Sequence, residues 1–130
     1  MKTSGRVHFF ILALIMLFAF SRCNQHSAGV KDVSPADAAK LIQSNSGNSE
    51  FSILDVRTPG EYSSWHLEGA VNIDFNANEF ETNIGQLDKK KTYLVYCWSG
   101  SRSSMAVGMM SKRGFGSLYN LSGGVSGWPH

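Results

Sequence analysis

The stretch that decides the fold reads Tyr93-Leu-Val-Tyr-Cys97-Trp-Ser-Gly-Ser-Arg102-Ser-Ser-Met105. Residues 93–96 form a compact run that is typical of a buried strand. A tight loop of small residues follows Cys97, and the pattern from Ser103 to Arg113 predicts a helix that stops at Gly114. Strand, short loop and helix in this order are typical of an α/β protein.

The rest of the chain repeats this alternation of strands and helices. Ser34 can cap a helix that starts at Pro35, and a weaker helical pattern runs from Glu79 to Gln86. Further strands are predicted at Val30 to Val33, Phe51 to Val56, Ala70 to Ile73 and Leu118 to Leu121. Several of these strands are unbroken apolar runs, which indicates a parallel sheet with helices on both faces. We therefore predict one α/β domain over residues 30–130.

The first 22 residues differ in character from the rest. Lys2 and Arg6 precede the apolar run Val7–Phe20, which indicates an export signal. This run has about 14 residues, fewer than the roughly 20 that cross a bilayer, so an uncleaved anchor is the weaker alternative. Cys23 follows at once and resembles the lipid-modified cysteine of bacterial lipoproteins, although Arg22 fits that pattern poorly. Cleavage to a soluble periplasmic protein is the competing prediction, and residues 23–29 are predicted to be a tether.

The net charge argues against nucleic acid as a partner. The formal charge is +2, but residues 1–22 carry three basic residues and no acidic ones. Without them, 9 Lys and Arg face 10 Asp and Glu, which leaves a charge near −1. We expect an exported monomer on the periplasmic side that meets the membrane only through its N-terminal signal or lipid.

Cys97 is the strongest candidate for chemistry. It lies at the carboxyl end of a predicted strand, where ligands bind in α/β sheets. Gly100 lets the loop backbone approach a ligand closely, and the following helix N-terminus and Arg102 add positive charge. Such a setting lowers the pKa of a thiol from about 8.5 and makes it nucleophilic. Two alternatives are a buried core cysteine and, since the chain has two cysteines, a Cys23–Cys97 disulfide.

No metal or cofactor is predicted. His66 and Cys97 lack the spacing of metal ligands, and the sequence contains no Cys-x-x-Cys pair. It also lacks the Gly-rich phosphate loop of nucleotide-binding proteins. His66 by itself is more often a packed or capping residue than a catalytic base.

Four strings in order resemble the rhodanese homology domain, from Val33 to Trp128. They are Leu54-Asp55-Val56-Arg57 with Glu61-Tyr62, His66-Leu67-Glu68-Gly69-Ala70-Val71-Asn72-Ile73, Val95 to Ser103, and Leu121-Ser122-Gly123-Gly124 with Trp128. Each string alone is weak, but four in the right order and spacing are specific. One departure is Trp65, which stands where the family usually has glycine before the histidine.

The resemblance implies a five-stranded parallel sheet and a sulfurtransferase. Cys97 would take a sulfane sulfur from a small anion such as thiosulfate and pass it to cyanide, a thiol or a protein acceptor. The loop that would bind the sulfur consists of Trp98, Ser99, Gly100, Ser101, Arg102 and Ser103. The resemblance gives a bracing role to Asp55, Arg57, Glu61 and His66, with Glu61 in a buried charged pair or His66 as a packed imidazole.

Two other functions are open on this fold. Phosphatases and arsenate reductases resemble it but have five residues between cysteine and arginine, whereas four separate Cys97 from Arg102. The shorter loop favours one sulfur atom over a tetrahedral oxyanion. A non-turnover sulfur carrier or a binding module is the second alternative, although such modules often lack the cysteine.

Overall fold

A computed structural model describes residues 29–129 of the 130-residue chain. The predicted export signal, Cys23 and residues 24–28 of the predicted tether lie outside the described residues. Within residues 29–129, no helix is long and apolar enough to cross a membrane.

Within the described residues, five strands alternate with four helices. The strands are β1 (Gly29–Val33), β2 (Phe51–Asp55), β3 (Val71–Asn72), β4 (Thr92–Tyr96) and β5 (Ser117–Leu121). The helices are α1 (Pro35–Ser44), α2 (Pro59–Ser64), α3 (Phe80–Gly85) and α4 (Ser101–Lys112), followed by a short 3-10 helix (Gly124–Gly127). Ser34 caps α1 as predicted, because its hydroxyl oxygen accepts a hydrogen bond from the Asp37 N–H.

The sheet is parallel throughout, with the strand order β1-β5-β4-β2-β3. β4 is therefore the central strand, with β2 and β5 as its neighbours. All carboxyl ends of a parallel sheet lie at one edge, so the loops that follow β5, β4 and β2 meet there. This order brings distant parts of the sequence to Cys97.

Helices cover both faces of the sheet and create two hydrophobic layers, which confirms the predicted fold class. Side chains alternate along β4, so that Leu94 and Tyr96 face one layer, whereas Tyr93, Val95 and Cys97 face the other. The layer containing Cys97 is completed by residues of α3, α4 and the neighbouring strands: Leu54, Phe80, Ile84, Ala106, Val107, Met110 and Leu118. The opposite layer contains Ala38 and Leu41 of α1.

Several predicted element boundaries differ from the observed ones by one or two residues. The differences at the starts of β1 and α4 change how residues were assigned. Gly29 is the first residue of β1, not part of the tether, because its backbone pairs with Ser117 of β5. Helix α4 begins at Ser101 instead of Ser103. Gly100 has a positive φ of 94°, which turns the chain directly into the helix. Ser101, Arg102 and Ser103 therefore form the first turn of α4 and are not loop residues.

Candidate functional site

Three neighbouring strands supply the parts of the site. Cys97 follows β4, and the loop after it leads into α4. Asp55 is the last residue of β2, and Arg57 follows it. Gly123 and Gly124 follow β5. The structure thus brings the predicted segments together around the Cys97 loop. His66 is the exception, because it packs on α2.

The sulfur of Cys97 faces the backbone of its own loop. The Gly100 N–H donates a hydrogen bond to Cys97 Sγ at 3.1 Å, and Ser103 Oγ lies 3.5 Å from the same sulfur. Cys97 is a free thiol with 0% of its surface exposed. A donor can therefore reach the sulfur only when the residues that cover it move. Trp98 and Ser99, the two loop residues after Cys97, are exposed.

Hydrogen bonds make this buried thiol acidic. Burial acts to raise the pKa of Cys97, but hydrogen bonds from the Ser103 hydroxyl and from the backbone N–H groups of Ser103, Gly100 and Ser99 outweigh it and lower the pKa. The N-terminus of α4 adds partial positive charge in the same direction. Of the loop amides predicted to face the sulfur, those of Ser99, Gly100 and Ser103 therefore do so, and the Ser103 hydroxyl, which the sequence did not single out, joins them.

The Ser103 hydroxyl has one proton and two acceptors within reach. Ser103 Oγ lies 3.2 Å from the Gly100 carbonyl oxygen as well as 3.5 Å from Cys97 Sγ. When Cys97 is a thiol, its S–H can donate to Oγ while the hydroxyl donates to Gly100. When Cys97 is a thiolate, the hydroxyl can turn and donate to the sulfur. Ser103 thus favours the charged form of Cys97.

Ser103→Ala should raise the pKa of Cys97 and slow sulfur transfer at neutral pH by roughly tenfold, because one hydrogen bond to a charged group is lost. The pKa is measured from thiolate ultraviolet absorbance and the transfer rate from thiocyanate production. Ser104→Ala is the matched control, since Ser104 is the next residue of α4 and is exposed. Equal effects of the two substitutions would contradict the assigned contact.

The guanidinium of Arg102 forms an ion pair with Glu61, so its positive charge is not directed at the sulfur alone. Its two terminal nitrogens donate to the two Glu61 carboxylate oxygens at 2.8 and 3.1 Å. Glu61 also completes a capping box with Thr58 at the start of α2. The prediction of a buried pair is wrong for Glu61, whose side chain is 34% exposed. The Arg102 hydrogen bonds lower the pKa of Glu61 to about 2.

Glu61→Gln should destabilise the protein by about 1 kcal/mol or less at neutral pH, because water screens this partly exposed pair. Glutamine can still cap α2. Since the folded-state pKa of Glu61 lies below its ordinary value of 4.5, the contribution is complete above pH 4.5 and is lost as the pH falls towards 2. Urea unfolding of both proteins across this range measures the difference.

The control for Glu61→Gln is Glu81→Gln. Glu81 pairs with Arg113 at 2.6 Å, but its side chain is 62% exposed. We expect the second substitution to change the free energy of unfolding less at neutral pH. A difference between wild type and Glu61→Gln that is constant between pH 4.5 and 2 would refute the assignment.

Asp55 and Arg57 form a buried pair beside the cradle. Arg57 Nη2 donates to Asp55 Oδ2 at 2.7 Å, and the two side chains are only 4% and 0% exposed. The same nitrogen donates to the Trp65 carbonyl oxygen at 2.6 Å. The pair therefore fixes the backbone after α2 against the end of β2, which is consistent with the bracing role implied by the resemblance.

His66 lies in a local contact with α2. Its ring stacks on Tyr62 with centroids 3.8 Å apart, and Nδ1 lies 2.8 Å from the Tyr62 carbonyl oxygen. Since a carbonyl oxygen only accepts, Nδ1 carries the proton. This geometry is that of a packed imidazole. Among residues 29–129, no group of three or more His, Cys, Asp and Glu side chains could hold a metal ion.

The segment after β5 supports the Cys97 loop from behind. The N–H groups of Val125 and Ser126 donate to the carbonyl oxygens of Cys97 and Trp98 at 3.0 and 2.9 Å. Gly124 lies so close to these carbonyls that a side chain would overlap them. The Gly123-Gly124 pair was part of the resemblance found in the sequence, but its position against the Cys97 loop could not be predicted from it.

Comparisons with known proteins agree with this architecture. The rhodanese-like domain profile matches residues 34–130. Thiosulfate sulfurtransferase GlpE of Shewanella oneidensis is 32% identical over 89 residues, covering 68% of this chain and 85% of the relative. Thiosulfate:glutathione sulfurtransferase of Saccharomyces cerevisiae is 25% identical over 116 residues, covering 81% and 82%. A rhodanese-related protein from Thermoplasma volcanium has a TM-score of 0.60 at 27% identity, covering 76% and 95%. The chain belongs to the rhodanese-like domain family.

Proposed function

We propose that this protein is a sulfurtransferase that carries a sulfane sulfur as a persulfide on Cys97. Thiosulfate or a similar anion is the proposed donor, and cyanide or a thiol is the proposed acceptor. The observation that carries the proposal is the hydrogen bond from the Gly100 N–H to Cys97 Sγ at 3.1 Å. A main-chain donor aimed at the sulfur stabilises negative charge there, which both a thiolate nucleophile and a persulfide require.

The first half-reaction loads the cysteine. The Cys97 thiolate attacks the outer sulfur of thiosulfate, a new sulfur–sulfur bond forms, and sulfite leaves with the electron pair of the bond that breaks. The outer sulfur of the persulfide lies about 2 Å from Sγ. It can accept hydrogen bonds from groups that donate to Sγ in the unloaded protein, such as the Gly100 N–H. The chain supplies this chemistry without a metal or cofactor in the proposed steps.

The second half-reaction empties the cysteine. Cyanide or a thiolate attacks the outer sulfur, thiocyanate or an acceptor persulfide leaves, and Cys97 returns as a thiolate. The same hydrogen bonds that lower the pKa of Cys97 make it a good leaving group. The thiosulfate and glutathione in the relatives' names support this choice of donor and thiol acceptor.

The loop length favours sulfur over phosphate as the transferred group. Four residues separate Cys97 from Arg102, and Arg102 is already bound through both terminal nitrogens to Glu61. A tetrahedral oxyanion would have to compete with that carboxylate for the guanidinium. We therefore favour sulfur transfer over a phosphatase or arsenate reductase activity.

Intact-protein mass after incubation with thiosulfate tests the proposal. We expect a gain of one sulfur atom, its removal by cyanide, and thiocyanate production over many turnovers. Uptake without turnover would instead support a sulfur carrier that hands its sulfur to a partner protein. Hydrolysis of para-nitrophenyl phosphate in place of sulfur uptake would overturn the assignment in favour of a phosphatase.

A further inference from the structure

Two exposed tryptophans line one hollow beside the Cys97 loop. The Trp65 and Trp98 side chains are 38% and 51% exposed. Together with Arg57, Glu61 and Ser64 they line a hollow of about 270 Å³. Single exposed apolar residues are common, but two indole rings lining the same hollow present a continuous apolar surface to water.

The hollow adjoins the Cys97 loop, because some of its lining residues also contact or belong to that loop and the start of α4. Trp98 directly follows Cys97, and Glu61 binds Arg102 in the first turn of α4. On the other side, the Arg57 guanidinium holds the Trp65 carbonyl oxygen at 2.6 Å. Trp98 therefore belongs to the Cys97 loop itself, and the Trp65 backbone is fixed to the Asp55–Arg57 pair at the end of β2. A molecule in the hollow would lie next to the loop that carries Cys97.

The lining points to a neutral, apolar occupant. Each of the two charged side chains lining the hollow already has its counter-ion, Arg57 in Asp55 and Glu61 in Arg102. Charge complementarity therefore favours an uncharged group, and indole walls favour a flat apolar one. The volume of about 270 Å³ lies just below the roughly 300–1,000 Å³ typical of small-molecule pockets. It suits one ring or a short aliphatic chain rather than a protein segment.

We propose that this hollow binds the apolar group of a small thiol that accepts sulfur from Cys97. The inference rests on the proposed function and specifies its acceptor. The acceptor thiolate attacks the outer sulfur of the Cys97 persulfide, a bond forms between the two sulfurs, and the bond to Cys97 Sγ breaks. The product is the acceptor persulfide, and Cys97 leaves as a thiolate. Trp65 and Trp98 act by binding, and they take no part in the electron flow.

The kinetic test compares two acceptors of similar thiol acidity, benzyl mercaptan and 2-mercaptoethanol, with the sulfur-loaded full-length protein. We expect kcat/KM to favour benzyl mercaptan by roughly tenfold, because its ring would lose contact with water against the indoles that line the hollow. Trp65→Ala should bring the ratio close to one, and Trp65→Phe should restore most of it. Trp65→Ala keeps the backbone carbonyl that Arg57 binds. Met105→Ala, a change at a 51% exposed residue of α4, should leave the ratio unchanged.

A binding test separates this inference from the proposed function. Benzyl methyl sulfide cannot accept sulfur, but it should quench tryptophan fluorescence in the wild type and in Cys97→Ser, and much less in Trp65→Ala. Quenching without sulfur uptake would refute the proposed function alone. Sulfur uptake with equal kcat/KM for both thiols, or a preference that survives Trp65→Ala, would overturn the acceptor site alone.

Discussion

In the Cys97→Ser variant, sulfur uptake from thiosulfate should disappear, and thiocyanate production should fall by roughly 10³-fold or more, because the nucleophile that carries the sulfur is gone. Serine is only slightly smaller than cysteine. Its hydroxyl oxygen can still accept a hydrogen bond from the Gly100 N–H, which donates to Sγ at 3.1 Å in the wild type. The fold should therefore survive, so that the loss reports chemistry rather than unfolding. Intact mass and initial rates measure the two effects.

Cys23→Ser is the matched control for this prediction. It replaces the other cysteine of the chain, which lies before the domain. We expect sulfur uptake and thiocyanate production to match the wild type. A Cys97→Ser protein that turns over at the wild-type rate would discard the persulfide mechanism, and a Cys23→Ser protein without activity would show that the nucleophile was assigned to the wrong cysteine.

The second large effect is expected for Gly124→Ala. Gly124 has a positive φ of 65°, and a Cβ atom there would overlap the Trp98 carbonyl oxygen and lie 2.6 Å from the Cys97 carbonyl oxygen. The left-handed conformation alone costs about 1–2 kcal/mol for alanine. Because the overlapping atoms belong to backbone, they cannot rotate away. We expect a total loss of roughly 3 kcal/mol in the free energy of unfolding.

The neighbouring glycine gives an internal control. Gly123 also has a positive φ, of 75°, but a Cβ atom there meets nothing within 4 Å. Gly123→Ala should therefore cost only about 1–2 kcal/mol, the conformational part of the effect. Urea unfolding measures both variants. Gly124→Ala should also lower the transfer rate, since it pushes the Cys97 loop away from its support. Equal losses in the free energy of unfolding for the two variants would contradict the close approach of Gly124 to the carbonyl groups of Cys97 and Trp98.

The alternation of strands and helices could be predicted from the sequence because its signals are local, whereas the strand order could not. The apolar run before Cys97, the small residues after it and the helical pattern that follows all occur within one short stretch. The cap at Ser34 and the parallel arrangement of the strands were also predicted correctly. The errors at Gly29 and at the start of α4 are shifts of one or two residues, and they arise from pairing with β5 and from the conformation of Gly100.

The contacts that tune the site depend on residues far apart in sequence. The Glu61 carboxylate reaches Arg102 across 41 positions, so no local pattern reveals that the arginine is already paired. The support that Gly124 and Val125 give to the Cys97 loop likewise depends on β5 lying beside β4. Ser103 is nearer to Cys97, but only the early start of α4 turns its hydroxyl towards the sulfur.

Main-chain and hydroxyl donors stabilise negative charge on the buried sulfur of Cys97. Titration of thiolate ultraviolet absorbance, taken as the difference between wild type and Cys97→Ser, isolates this one sulfur and measures its pKa directly. The hydrogen bonds at the sulfur predict a midpoint below the value of an unperturbed, solvent-exposed thiol. A midpoint at or above that value would mean that burial outweighs the hydrogen bonds, and Cys97 would then be an unreactive core cysteine.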